Sequence, residues 1–372
     1  MFNLKELHDY ISRNVKDTLY SKDIDMELDW MRKQQEPNSL VEASYLQYKA
    51  QIMHHSKLFH VFIELISFWG YCFFCIRPND RVDHASRNQD ICIFLPDESY
   101  MPVREGVLLL RETRGFYLDK DTKKMFFHDM KAYKHDYYFK LKLIVKSGMY
   151  GYLLEKYSPR RFYCESEYSF TSSYLTKLCR EKNVLHCNVQ HGEKLLNIGS
   201  SFFSFDEMYT WDERYISIYK QLRANVSKYI IFTPDFLIKD YSKWQEKYDY
   251  KYYLQNQYRD KMEEICILMK SMQEKGYKVA VRMHPRYPDS YIENKYKDLV
   301  EKDVSIEQSL GETRNIIAAF SMVLLQAEFA KKRAIVDDLT DEQLYNSAKR
   351  LGYIMLQKKP LLLSEVLNGN EV

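Results

Sequence analysis

Gly276-Tyr-Lys-Val-Ala-Val-Arg-Met-His-Pro-Arg286 packs a helix stop, a short buried strand and a basic turn into one stretch. Before it, Met262, Ile265, Met269 and Met272 recur in steps of three and four, which predicts an amphipathic helix over 260–275. Gly276 stands where such a helix needs its C-cap. Lys278 to Met283 then reads as a strand, which Pro285 stops. After it, Val304–Ile306, Asn315–Phe320 and Ala334–Val336 read as strands, with a helix from Ser321 to Lys332 between the last two. This alternation predicts a doubly wound α/β lobe.

The same pattern precedes it in the chain. Ile91–Leu95 and Gly106–Leu110 read as strands, and Asp119-Lys120-Asp121 as a hairpin turn between Gly115–Leu118 and Met125–Phe127. A helix over Tyr137–Lys156, a strand over Arg161–Glu165 and a helix over Ser169–Asn183 follow. Val184–Gln190 is then the strand that delivers His191, and Glu36-Pro37-Asn38-Ser39 marks a break and helix start far upstream. A charged helix near Ile216–Val226 leads to Lys228–Thr233, read as the opening strand of the second lobe. The expected organisation is a mainly helical region over 1–88 packed on lobe one, a first Rossmann-like lobe over 89–227, and a second over 228–372. Two α/β lobes facing each other across a cleft are the expected architecture.

Composition narrows the function. The 372 residues include 55 basic and 52 acidic side chains, a formal charge of +3, which gives no case for nucleic-acid binding. Thirty-two tyrosines accompany only eleven glycines, and no glycine-rich phosphate loop is present. Side chains and helix N-termini must therefore hold any phosphate. The seven cysteines form no regular framework, which fits reduced thiols in the cytoplasm. Cys72 and Cys75 have metal-ligand spacing but no second pair, and are expected to be buried thiols. The N-terminal Met1-Phe-Asn-Leu-Lys5 lacks signal-peptide features. The apolar run Val61–Ile76, broken by Glu64, is shorter than the ~20 residues of a membrane span. A buried helix is its first reading, and a helix lying in a membrane interface its second.

The candidate chemistry gathers at strand ends, where open α/β sheets bind ligands. His191 is the candidate general base, with Gln190 and Gly192 beside it on the acceptor side. Gly192 is expected to permit a sharp turn and a close ligand approach. Glu165 and Glu167 end the neighbouring strand, where a carboxylate would orient His191 or act as the base. His284, flanked by Arg282 and Arg286, would form a cationic pocket for a phosphate. Ser321 is a natural N-cap at an anion-binding helix terminus. Glu328, two turns along that helix, would reach a sugar hydroxyl. Asp337-Asp338 invites a metal reading, but a solvated turn is expected and no metal is.

Three segments together resemble the bacterial capsule and surface-polysaccharide glycosyltransferases of GT-B architecture. These include polysialyltransferases, capsule Kdo transferases and teichoic-acid polyol-phosphate transferases. The segments are Val189-Gln-His-Gly192 with Phe205-Asp206 and Trp211; Gly276 to Arg286; and Phe320-Ser321 with Leu324-Leu-Gln-Ala-Glu328. The resemblance covers roughly residues 160 to 340. It implies an inverting, metal-independent transfer from a nucleotide-sugar co-substrate, CMP- or CDP-linked donors included, to a glycan or lipid-linked glycan. His191 would lie by the acceptor hydroxyl, and His284 and Ser321 would hold the donor phosphate. It also implies a cytoplasmic protein in peripheral contact with the inner membrane. A CDP-polyol phosphotransferase, a nucleotide-sugar epimerase and a non-catalytic assembly subunit are the alternatives. The acidic pair before glycine found in many bacterial sialyltransferases is not present as such.

Overall fold

The computed structural model describes residues 23–53, 56–83, 89–103 and 105–369. The chain divides into two units. Residues 25–191 and 196–234 form the first, and residues 192–195 belong with the second, which resumes at 235. Each unit contains one six-stranded sheet, and every strand pairing is parallel.

Three helices precede the first sheet: α1 (Ile24–Lys33), α2 (Leu40–Ile52) and α3 (Lys57–Ile76). Ser39 N-caps α2 by accepting from the Glu42 amide, and Glu42 returns a bond to the Asn38 amide, as the break at Glu36–Ser39 predicts. The sheet is built from β1 (Asp90–Ile93), β2 (Val107–Leu110), β3 (Arg161–Cys164), β4 (Leu185–Val189), β5 (Ser204–Thr210) and β6 (Asn225–Ile231). Its order is β2-β1-β3-β4-β5-β6, so the direction of winding reverses between β1 and β3. Helices α4 (Lys120–Asp129), α5 (Tyr137–Tyr157), α6 (Ser172–Glu181) and α7 (Glu213–Gln221) complete the unit. Its helical side is packed with aromatics, among them Tyr48, Phe116, Phe126, Phe139, Phe170 and Tyr174.

The second sheet comprises β7 (Tyr248–Tyr253), β8 (Val279–Arg282), β9 (Val300–Glu301), β10 (Thr313–Ala318), β11 (Arg333–Val336) and β12 (Leu361–Leu362). Its order, β12-β11-β10-β7-β8-β9, is that of a dinucleotide-binding sheet, with the reversal between β7 and β10. Helices α8 (Arg259–Glu274), α9 (Ser290–Lys295), α10 (Ile306–Gly311) and α11 (Met322–Phe329) are among its connections. Met262, Ile265, Met269 and Met272 all face the core, and Gly276 follows α8 at φ +95°. The expectation of two Rossmann-like α/β lobes holds.

Several local expectations fail for physical reasons. No hairpin forms over 115–127. Asp119 instead N-caps α4 through the Thr122 amide. The extended segment before it presses on two glycines of α5: a Cβ at Gly148 would meet the Phe116 ring at 2.1 Å, and one at Gly151 the Tyr117 carbonyl at 2.1 Å. Its backbone bonds go to Gly148 and to the side chains of Asn79 and Asp80. Ser305 likewise caps α10 rather than lying in a strand over 304–306. The strand expected to open the second lobe at Lys228 is the edge strand β6 of the first sheet, paired with β5. The boundary therefore falls near Pro234 rather than at 228.

Helix α3 is apolar as expected, but at 20 residues it is longer than the expected run. By length and composition alone it is long enough to cross a membrane, and it is not buried. It packs on α5, while Leu58, Val61, Leu65, Trp69, Phe73 and Ile76 stay exposed. Its apolar residues surround the helix, and among the described residues only one side finds a partner. Glu64, its one carboxylate, turns inward and accepts from the Tyr48 hydroxyl and from the Tyr137 and Tyr138 amides, capping the N-terminus of α5. Cys72 is exposed and Cys75 half-buried, contrary to the expectation of buried thiols, and the seven cysteines are all free.

Candidate functional site

In the first unit, β3 and β4 are neighbours in register, so the residues just past their carboxyl ends meet. His191 Nδ1 lies 3.0 Å from Glu165 Oε1. The contact is an ion pair only when the imidazole is protonated. Glu167 is fully buried two residues on, and its Oε2 accepts from Asn188 Nδ2 at 3.0 Å. The loop carrying both glutamates is clamped. Asn188 Oδ1 accepts from the Ser166 amide, and the buried Gln47 of α2 donates to the Glu167 carbonyl. Glu165, Glu167 and His191 bring one ligand atom each within 4.8 Å of one another. A divalent cation in this unit would find its ligands there.

Gln190 and Gly192, expected on the acceptor side, behave differently from one another. Gln190 is buried and its side chain accepts from the Thr210 hydroxyl at 2.6 Å, tying β4 to β5. It positions the strand end that carries His191. The backbone bends at Gly192 as expected, but without a positive φ, so the bend does not require glycine's left-handed conformations. The space around it is open, with nothing within 4 Å of where a Cβ would stand. Asp206 accepts from Arg180 and from the His186 amide, so it serves the scaffold.

In the second unit, His284 follows β8. Its Nδ1 accepts the Arg286 amide at 3.1 Å, and its ring stacks on Tyr287. Burial, then the nearby Arg286 charge, lowers its pKa. A neutral ring with an accepting Nδ1 carries its proton on Nε2, which makes Nε2–H a donor suited to a phosphate oxygen. Arg286 is exposed. Arg282, expected beside them, is committed elsewhere: it donates to Glu301 at 2.8 Å and to the Val304 carbonyl. Burial alone would raise the Glu301 carboxyl, but bonds from Lys251 and Ser309 hold it below its usual range. Arg282 completes that buried cluster rather than a ligand pocket.

Ser321 N-caps α11 by accepting from the Val323 amide. Its hydroxyl also accepts from Gln255 Nε2 at 2.8 Å, and the buried Tyr353 hydroxyl bonds both its amide and its carbonyl. Gln255 follows β7 and Ser321 follows β10, so this contact bridges the point where strand order reverses. Neither Gln255 nor Tyr353 was legible as a site residue, because β7 reads as a polar tyrosine-rich stretch. Glu328 is not directed at a ligand; it pairs with Lys358 at 2.9 Å. Asp337 is buried rather than solvated. It accepts from Tyr252 and from the Leu339 and Thr340 amides, while Asp338 caps Ser364.

No family model matches the chain, and no curated protein does. Among solved structures it is similar to Methanocaldococcus jannaschii UDP-GlcNAc 2-epimerase in complex with UDP-GlcNAc and UDP. That likeness has 9% identity and a TM-score of 0.41, over 71% of this chain and 92% of that one. A second structure of the same archaeal enzyme gives 10% identity and a TM-score of 0.38, over 70% and 91%.

Proposed function

We propose that the chain is an inverting, metal-independent glycosyltransferase that moves a sugar from a nucleotide-sugar donor to a growing surface glycan. The observation that carries this reading is the His191–Glu165 pair past the ends of β3 and β4. With Glu165 at Nδ1, the Nε2 lone pair of a neutral His191 is the one available to take a proton from an attacking hydroxyl. The nearby carboxylate then stabilises the imidazolium that forms. Asn188 and Gln47 fix the loop, so little reorganisation is needed at the moment of transfer. In the second unit, His284 Nε2–H, Arg286 and the Gln255–Ser321 helix terminus supply donors for a departing nucleotide phosphate. Of these residues, His191, His284, Arg286 and Ser321 lie in the three segments that resemble capsule transferases.

The exposed face of α3 supports a peripheral site of action. Leu58, Val61, Leu65, Trp69, Phe73 and Ile76 recur at helical spacing without a charge among them, and Lys57 and Arg77 flank the helix. An apolar stripe with an aromatic centre and the exposed Lys57 at its start fits the headgroup boundary of a bilayer, while Arg77 at its end pairs with Asp80. The chain would then act at the cytoplasmic face of the membrane on a lipid-linked glycan.

Screening CMP-, CDP-, UDP- and GDP-sugars against glycan acceptors, with and without EDTA, tests the reading. Transfer in EDTA with no phosphorus in the new linkage is expected. Phosphorus in the linkage identifies a polyol-phosphate transferase. Conversion of a nucleotide sugar without any acceptor identifies an epimerase. Turnover lost in EDTA and restored by magnesium or manganese assigns a metal to Glu165, Glu167 and His191.

A further inference from the structure

The reversal point of the first sheet opens into a cavity of about 460 Å³, and Glu165 forms part of its wall. The opposite wall is α5, which contributes Tyr138, Lys142 and Lys146. The two lysines are one helical turn apart and face the same space. Lys146 is half-buried, with its ammonium 4.3 Å over the Phe94 ring; Lys142 lies 5.7 Å over Tyr138. Among the described residues, neither ammonium makes an ion pair. Half-buried Lys146 and exposed Lys142 face the same cavity, so two like charges without an ion-pair partner favour entry of an anion. Burial, and then the Lys142 charge, lowers the Lys146 pKa, which is the electrostatic consequence of that crowding.

The cavity is also built at some cost. Phe94, just past β1, is held at φ +69°, a conformation that bulky residues avoid. Strain of this kind persists where surrounding structure imposes it, commonly at ligand sites. Here it holds the Phe94 ring on the cavity wall, under the Lys146 ammonium. Tyr168 on the far wall is exposed and offers a second ring. Rings with a nearby cation pair suit a pyranose that carries an acidic group.

We propose that this cavity binds an anionic sugar residue of the acceptor, with Lys142 and Lys146 neutralising its carboxylate or phosphate next to the His191–Glu165 pair. The inference rests on the transferase reading for the word acceptor, but its test does not need turnover. Calorimetric titration of the full chain would use a tetrasaccharide containing hexuronic acid, its carboxyl-reduced counterpart, and glucose 6-phosphate. The acidic tetrasaccharide should bind at least tenfold more tightly than the reduced one, and more weakly as salt rises. Tighter binding of glucose 6-phosphate than of the tetrasaccharide would assign the anion as phosphate. Lys142→Gln with Lys146→Gln should remove the preference without lowering the melting temperature, because no ion pair is lost and a like-charge repulsion is relieved. Lys142→Glu, at an exposed position, gives an independent check and should oppose binding. Equal affinity for the acidic and reduced sugars, or unaltered binding in these variants, overturns the proposal. Transfer to acidic acceptors with the same KM in wild type and the double variant overturns it too, while leaving the transferase reading intact.

Discussion

Glu165 Oε1 and His191 Nδ1 lie 3.0 Å apart although 26 positions separate them in the chain, because parallel pairing of β3 with β4 brings the two strand ends together. The contact divides the roles of the imidazole nitrogens. Nδ1 faces the carboxylate, and in the proposed transfer Nε2 would take the proton.

Substitution of either partner tests that division. His191→Asn keeps polarity and approximate size but cannot take the proton, so turnover should fall by about a hundredfold to ten-thousandfold. Nucleotide affinity should stay within a small factor. Glu165→Gln should lower turnover in the same direction but by less. Near-normal rates in His191→Asn with loss in Glu165→Gln would make the glutamate the base.

Donor binding is expected to depend on His284. His284→Ala removes the Nε2–H donor, and a hydrogen bond to a charged group contributes about 1.5–3 kcal/mol. Nucleotide affinity should therefore drop by roughly ten- to a hundredfold, measured by calorimetry. The unliganded melting temperature should hardly move. A badly destabilised apo-protein would show that the stack on Tyr287 is the residue's real task.

Acid should weaken the first unit through His186. This ring is fully buried: its Nδ1 contacts Thr176 at 2.7 Å and its Nε2 contacts Tyr150 at 3.2 Å. Burial, and then the Arg180 charge, lowers its pKa to about 3. The unfolded chain takes up a proton below pH ~6.5 that the fold refuses until about pH 3. The stabilisation is thus complete above pH 6.5 and is lost as pH falls. The loss between pH 6.5 and pH 5 should be about 2 kcal/mol. Urea unfolding of wild type and His186→Gln at both pH values checks this, since the amide does not titrate. The same slope in both proteins would remove His186 from the explanation.

Vesicle binding should follow the exposed face of α3. Wild type should sediment with vesicles rich in phosphatidylglycerol, and the double variant Leu65→Glu with Trp69→Glu should remain in solution. Both side chains are largely solvent-exposed, at 61% and 72%, so the variant should melt like wild type. Failure of wild type to sediment would sink the membrane reading.

The sequence by itself determined the run of helices and strands from Tyr137 to Val189, the helix of methionines closed by Gly276, and the placement of His191 and His284 just beyond strands. Hydrophobic periodicity and capping are local signals, and they survive without tertiary context. It did not reveal β7, whose Tyr-Asp-Tyr-Lys-Tyr-Tyr reads as surface. Lys251 can be central there only because Glu301 and Ser309 meet it inside the fold. Nor did it reveal that Arg282 serves Glu301, that Gln255 reaches Ser321, or that residues 115–118 lie on two glycines of α5. Those facts depend on which strands become neighbours. Parallel pairing joins residues tens of positions apart, so side chains that look equivalent along the chain acquire different partners and different roles.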